Sequence, residues 1–235
     1  MRTRFRDRVD AGRTLAAELG GYVGQADVRV LALPRGGVPV AFEVARALRA
    51  PLDVFIVRKL GVPGHEEYAM GAIASGGTVV LSRDVIRGLG IDDATVQRVI
   101  ELERRELARR ERRYRDDRPP PAVAGRTVIL VDDGLATGAT MRAAVAAITR
   151  QGPKRLVVAV PVAAPDTCDE LRAEVDDIVC AVTPEPFHAV GLWYDDFSQT
   201  TDEEVHELLE RARAFVAPSP VAPATPDADV RPMDA

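Results

Sequence analysis

Two adjacent aspartates, Asp132 and Asp133, close an apolar run and open a turn of small and hydroxylated residues, in the string VILVDDGLATGAT from Val128 to Thr140. Ionised carboxylates are strong hydrogen-bond acceptors, so the pair suits the vicinal hydroxyls of a sugar. Gly134, Ala136, Gly138 and Ala139 let a ligand come close to the backbone, and Thr137 and Thr140 add hydroxyl donors. A helix starting here would aim its free N–H groups and the positive end of its dipole at an anion, with Thr140 as the expected N-cap. Diol contacts and phosphate contacts therefore stand side by side. A plain strand–turn–helix junction accounts for a lone Asp-Asp but not for the whole ordered string. No Gly-Lys-Ser/Thr follows, which excludes a Walker A loop, and the Gly-x-Gly-x-x-Gly dinucleotide pattern is absent.

The surrounding elements must hold that string at one edge of a sheet. VRVLAL, LDVFIV, GTVVLS, VILV, RLVVAVPV and DIVCAV read as short buried strands, and GTVVLS follows a glycine-rich polar loop from Gly61 to Gly77. Between them lie helical patterns at 7–19, after PRGG (Val38, Phe42, Ala45 and Leu48 on one face), at 140–150 and at 166–175, with a final helix at 202–215. Alternating strands and amphipathic helices indicate an α/β fold around a mainly parallel sheet, whose carboxyl ends are where such folds bind ligands. The domain is expected over 1–217, with a helical insertion at about 84–118, a polar-aromatic loop at about 183–200, and a disordered Pro- and Ala-rich tail from 218 to 235. The stretch DDATVQRVIELERRELARRERRYRDD, 92–117, reads as a solvated helical arm. Its Glu101/Arg105, Glu106/Arg110 and Glu111/Arg115 pairs at i,i+4 contribute about a few tenths of a kcal/mol each. A sharper alternative is that its arginines meet RNA or an acidic partner surface.

A formal net charge of −5 argues against a dedicated nucleic-acid binder. Cys168 and Cys180 show no metal-like spacing and are expected as reduced thiols of a cytoplasmic protein. His65, His188 and His206 are scattered, so no tightly held transition metal is expected. The N-terminus lacks an apolar signal segment, no stretch has membrane-spanning length, and no Gly-x-Ser-x-Gly elbow appears.

The 128–140 string resembles the motif for ribose 5-phosphate and PRPP (5-phosphoribosyl-1-pyrophosphate) in the type I phosphoribosyltransferases, and the order of elements from about 5 to 215 fits them more loosely. That resemblance implies that Asp132 and Asp133 hold the ribose hydroxyls while Ala136 to Thr140, with Gly134, form the 5-phosphate loop. Pro34 to Gly37 matches the pyrophosphate loop, with Arg35 on pyrophosphate and Gly36 and Gly37 leaving room. Arg58 and Lys59 resemble basic residues near pyrophosphate, Arg35 and Lys59 being assigned catalytic roles. Mg²⁺ is the implied cofactor, on Asp132, Asp133 and Asp195, and a homodimer the implied assembly. The reaction would displace pyrophosphate from the anomeric carbon through an oxocarbenium-like transition state, driven by positioning and electrostatic stabilisation.

The acceptor stays open. The family's 6-oxopurine members carry a general-base aspartate three positions after the second acid, where this chain has Ala136. The adenine members, closer in DDGLATGAT, place an acid in a mobile loop; here GVPGHEEYAMGAIASGG offers Glu66 or Glu67, and Glu67 is the expected catalytic acid. TPEPFHAVGLWYDDFSQ, 183–199, looks like the 6-oxopurine hood, with Phe187, Val190 and Trp193 as base contacts, although the spacing after Phe187 is one residue longer. A protein of this fold that senses PRPP or a nucleotide without turnover is the alternative, and an unrelated sugar-phosphate binding module the third reading.

Overall fold

The computed structural model describes residues 4–116 and 118–215. The expected tail at 218–235 and the expected helix end at Asp117 lie outside them. Five parallel strands form the central sheet: β1 (Val28–Ala32), β2 (Leu52–Val54), β6 (Thr127–Val131), β7 (Arg155–Val162) and β8 (Asp177–Val182), in the order β2-β1-β6-β7-β8. β6 is buried at all five positions, as expected of a strand covered on both faces. Its even and odd residues feed different cores. Ile129 and Val131 join a core with α1 (Arg8–Glu18), α2 (Gly37–Leu48) and α7 (Asp202–Ala212). Val128 and Leu130 join another with α5 (Ala139–Thr149) and α6 (Pro165–Arg172). The result is a three-layer α/β/α stack. From β1 the chain runs outward through α2 to β2, and from β6 outward the other way through α5 to β7. The two directions part between β1 and β6, which makes a crevice at the carboxyl ends of these neighbours.

A second, antiparallel sheet of β3 (Val57–Val62), β4 (His65–Ala74) and β5 (Thr78–Leu81) stands beside the first. Two sequence expectations change here. LDVFIV is not one strand: the chain leaves the parallel sheet after Val54 and enters the antiparallel one at Val57. The expected loop at 61–77 is largely a hairpin, in which Gly64 takes a positive φ at the turn. Alternation of Tyr68, Met70, Ala72 and Ala74 carries little sequence signal because glycine and alanine interrupt it. α3 (Arg83–Gly88) then leads into α4 (Asp93–Arg115), capped by Asp92, whose side chain accepts from the Thr95 amide. α4 is not a solvated arm. It buries Val96, Ile100, Leu107 and Tyr114 in the α1/α2/α7 core, and its charged face hides an apolar stripe at helical spacing. Arg115 is 1% exposed and bonds Asp53, Glu111 and the Val54 carbonyl.

Cys168 on α6 and Cys180 on β8 are joined in a disulfide, Cα atoms 7.0 Å apart, rather than being two thiols. Their separation of twelve residues gives no framework pattern; it is the packing of α6 on β8 that brings them together. Among the described residues no helix is long and apolar enough to cross a membrane.

Candidate active site

β6 ends at Val131, so Asp132 and Asp133 emerge at the crevice between β1 and β6. Opposite them the chain leaves β1 through Pro34–Gly37, where the Pro34–Arg35 peptide bond is cis. The two loops touch. A Cβ on Gly36 would run into the Asp133 carboxylate, and one on Gly37 would come within 2.8 Å of the Val131 carbonyl oxygen and 2.9 Å of Asp132 Cα. Glycine is therefore required at position 37, where the obstacle is backbone, and the lack of a Cβ at Gly36 leaves the Asp133 carboxylate in place, so PRGG and the acid pair form one unit.

The acid pair is electrostatically tense. Asp133 Oδ2 accepts from Arg8 Nε at 2.8 Å, in an ion pair whose side chains are 11% and 15% exposed. Asp132 Oδ1 accepts from the Asp133 amide at 2.8 Å. Burial pushes the Asp132 carboxyl well above the usual range, and the neighbouring Asp133 charge pushes the same way. Burial also raises Asp133, against the opposing pull of Arg8. Perturbed acids in a crevice make this a candidate functional site.

Beyond the pair, the loop from Ala136 to Thr140 is held by its carbonyls and leaves its amides free. The Thr167 hydroxyl on α6 donates to the Ala136 carbonyl at 2.6 Å, and Arg142 Nη1 donates to the Thr137 carbonyl at 3.0 Å. Gly138, not Thr140, is the N-cap of α5, with φ of 72°. A left-handed residue ends the turn there, and only glycine adopts it without strain. Among the described residues no group accepts from the amides of Ala136 to Thr140. Several N–H donors thus converge at a helix N-terminus beside two carboxylates, a geometry suited to an anion carrying a diol.

The other expected contacts divide. Arg35 is loosely held, its Nη1 3.8 Å from Asp202 Oδ1 at the start of α7, while Asp202 is more closely bound by Arg113 at 2.9 Å and by the Tyr114 hydroxyl at 2.6 Å. Arg58 and Lys59 are not at a strand end but within β3, where successive side chains point to opposite faces. Arg58 is tied to Glu103 of α4 at 2.6 Å, and Lys59 is exposed. Glu66 and Glu67 have their backbone in β4, and their side chains lie outside the described part of the structure.

The hood closes over the acid pair from the other side. Val190 packs where a Cβ on Gly134 would sit, and with Phe187, Trp193, Tyr194, Phe5 and Val162 it makes a small apolar cluster. Phe187 and Trp193 are half-buried in that cluster, and Trp193 Nε1 is buried without an acceptor among the described residues. The Tyr194 hydroxyl donates to the Asp133 carbonyl at 2.5 Å. Asp195 turns away to Arg4, 3.8 Å off, and is not gathered with Asp132 and Asp133. The expected three-aspartate cation site thus reduces to the adjacent pair. That pair still fits a hard divalent cation: its donors are oxygens, and a cation would relieve the repulsion and burial that raise both carboxyls.

Arg8 was missed by sequence reasoning. It sits at the first turn of α1, 125 residues from Asp133. Its guanidinium lies 4.0 Å from the Phe197 ring centroid and donates to the Ser198 carbonyl at 2.7 Å. One side chain thereby joins α1, the hood and the acid pair. No local signal in RFRDRVD separates Arg8 from its neighbouring arginines.

The family model for the phosphoribosyl transferase domain matches residues 3–194. The chain belongs to that family. Two Mycobacterium tuberculosis proteins, each named "Putative phosphoribosyl transferase" (Rv0571c and MT0597), are 46% identical to it over 227 residues, 97% of this chain and 51% of theirs. The chain spans about half the length of these curated relatives. The crystal structure of TT1426 from Thermus thermophilus is 45% identical, with a TM-score of 0.79 over 91% of this chain and 100% of that one. In this molecule the phosphoribosyl transferase fold carries the acid pair, glycine loop and amide nest on β6, β1 and α5.

Proposed function

We propose that the protein transfers the 5-phosphoribosyl group of PRPP to a nitrogen acceptor of nucleobase type and releases pyrophosphate. The observation that carries this reading is the nest of free amides at 136–140 beside Asp132 and Asp133, with PRGG pressed against the same pair. In this reading the nest holds the 5-phosphate and the two aspartates hold the ribose diol. The anomeric C–O bond to pyrophosphate breaks as the new C–N bond forms, and the acceptor loses a proton. Arg35, the loosely held cation of the crevice, would stabilise charge growing on the leaving group, with Lys59 as a second cation if β3 and β4 shift, and Glu67 would take the acceptor proton. Bound Mg²⁺ supplies charge neutralisation at phosphate and diol oxygens, and Asp132 and Asp133 would hold it. The hood, through Phe187, Val190 and Trp193, would wall off the acceptor from water. A cytoplasmic homodimer is part of the same reading, on the resemblance alone.

Calorimetric titration with PRPP and Mg²⁺, alongside a pyrophosphate-release assay with purines and pyrimidines, tests it. Saturable PRPP binding, weakened at least about tenfold in Asp133→Asn, and release with one acceptor are expected. Failure of PRPP to bind, or equal affinity for ribose 5-phosphate, overturns it. Ala136 in place of an acid and the capture of Arg58 by Glu103 favour one second reading, a PRPP sensor without turnover. Its signature is the same binding with no release for any acceptor.

A further inference from the structure

A cavity of about 750 Å³ opens between β5, α3, α4 and the end of α5, and shares no lining residue with the acid pair or the phosphate loop. Its charge is out of keeping with the chain. In a protein of formal net charge −5, four arginines (Arg83, Arg87, Arg104 and Arg150) face it against one aspartate, Asp93. The surface acids do little to cancel them. Arg87 pairs with Asp84 at 2.7 Å, but the two side chains are 76% and 92% exposed, a setting in which ion pairs contribute little. Glu101 is shared between Arg104 and Arg105. Arg150 donates to the Val79 carbonyl at 2.6 Å, and neither it nor Arg83 has an acidic partner among the described residues.

The wall between these guanidiniums is apolar: Val79, Leu81 and Ile86 are half-buried at the cavity, with Val96 and Ile100 behind them. Guanidinium groups match phosphate oxygens in a bidentate fork, and a cleft of this volume takes a ligand of drug or nucleotide size. We propose that this cavity binds a nucleoside phosphate, its base on the aliphatic wall and its phosphates among Arg83, Arg87, Arg104 and Arg150. The site is separate from the PRPP crevice and does not rest on the function proposed for it. It also gives Arg104 of α4 a small-molecule role in place of the RNA or protein contact the helix's sequence suggests.

The test is calorimetry of the full chain with AMP, ATP, GTP, inorganic pyrophosphate and a 20-nucleotide RNA, repeated for Arg83→Ala and for Arg83→Ala/Arg150→Ala. Both arginines are exposed, and a melting curve checks folding. Binding of at least one nucleotide is expected, with affinity falling severalfold in the single variant and at least about tenfold in the double, and with PRPP binding unchanged. Any of four outcomes overturns the proposal: no nucleotide binds, the variants bind as the parent does, PRPP displaces the nucleotide competitively, or pyrophosphate or RNA binds more tightly than every nucleotide.

Discussion

Asp132 costs the fold stability, and the sign of that cost can be worked out. Its folded-state carboxyl is raised well above 3.8, so between that value and its folded titration point the native state holds more protons than the unfolded chain. Stability attributable to this group therefore falls as pH rises through the window. Asp132→Asn, which keeps the shape and removes the charge, is expected to stabilise the protein at neutral pH by about 1 kcal/mol, or roughly 2–4 °C in Tm for a chain of this size. The gain should shrink as pH approaches 4; a melting temperature lower than the parent's at pH 7 would refute the account. Arg8 acts in the opposite direction on Asp133, favouring its charged form against the effect of burial. Arg8→Gln is expected to make PRPP binding fail at a higher pH than in the parent as the solution is acidified, with Arg8→Lys partly restoring the profile. An unshifted profile would leave Arg8 a packing residue only.

At the scale of elements, local pattern was legible and long-range pattern was not. The string 128–140 announced strand, turn and helix because apolar run, acids and small residues occupy consecutive positions, and β7 and β8 appear at the expected 155–162 and 177–182. The N-cap moved from Thr140 to Gly138 because a left-handed turn, invisible in side-chain chemistry, precedes the helix. β3 and β4 were hidden by glycines and alanines; α4 was legible as a helix, but its burial was hidden by a charge density that masks its apolar stripe. The fate of α4 can be tested. Arg115 is sealed among Asp53, Glu111 and the β2 backbone, and truncating one member of a buried ion pair costs about 3–5 kcal/mol. Arg115→Ala is therefore expected to lower the urea midpoint strongly, whereas truncating Arg105, 77% exposed on the same helix, should change stability by less than about 0.5 kcal/mol. Equal effects would return α4 to the status of a solvated arm.

For the whole molecule, contacts between distant segments decide the site's shape. Phe5 bridges to Tyr194, its amide donating to the Trp193 carbonyl at 2.9 Å while its own carbonyl accepts from Asp195 at 2.8 Å. The segment at Phe5 is thus sewn to the hood, which rests on Gly134 and Asp133. None of this is readable from spacing, since residues more than 180 positions apart share no periodicity.

The crevice between β1 and β6 has one more implication. Its two loops hang from opposite wings of the parallel sheet, so a molecule spanning them would serve as a tie-rod across the β1–β6 strand pair. Ligand at a hundredfold its Kd adds about 2.7 kcal/mol to global stability. Amide exchange in the presence of PRPP should therefore slow on both wings together, at 35–37 and at 136–140, and not on one alone.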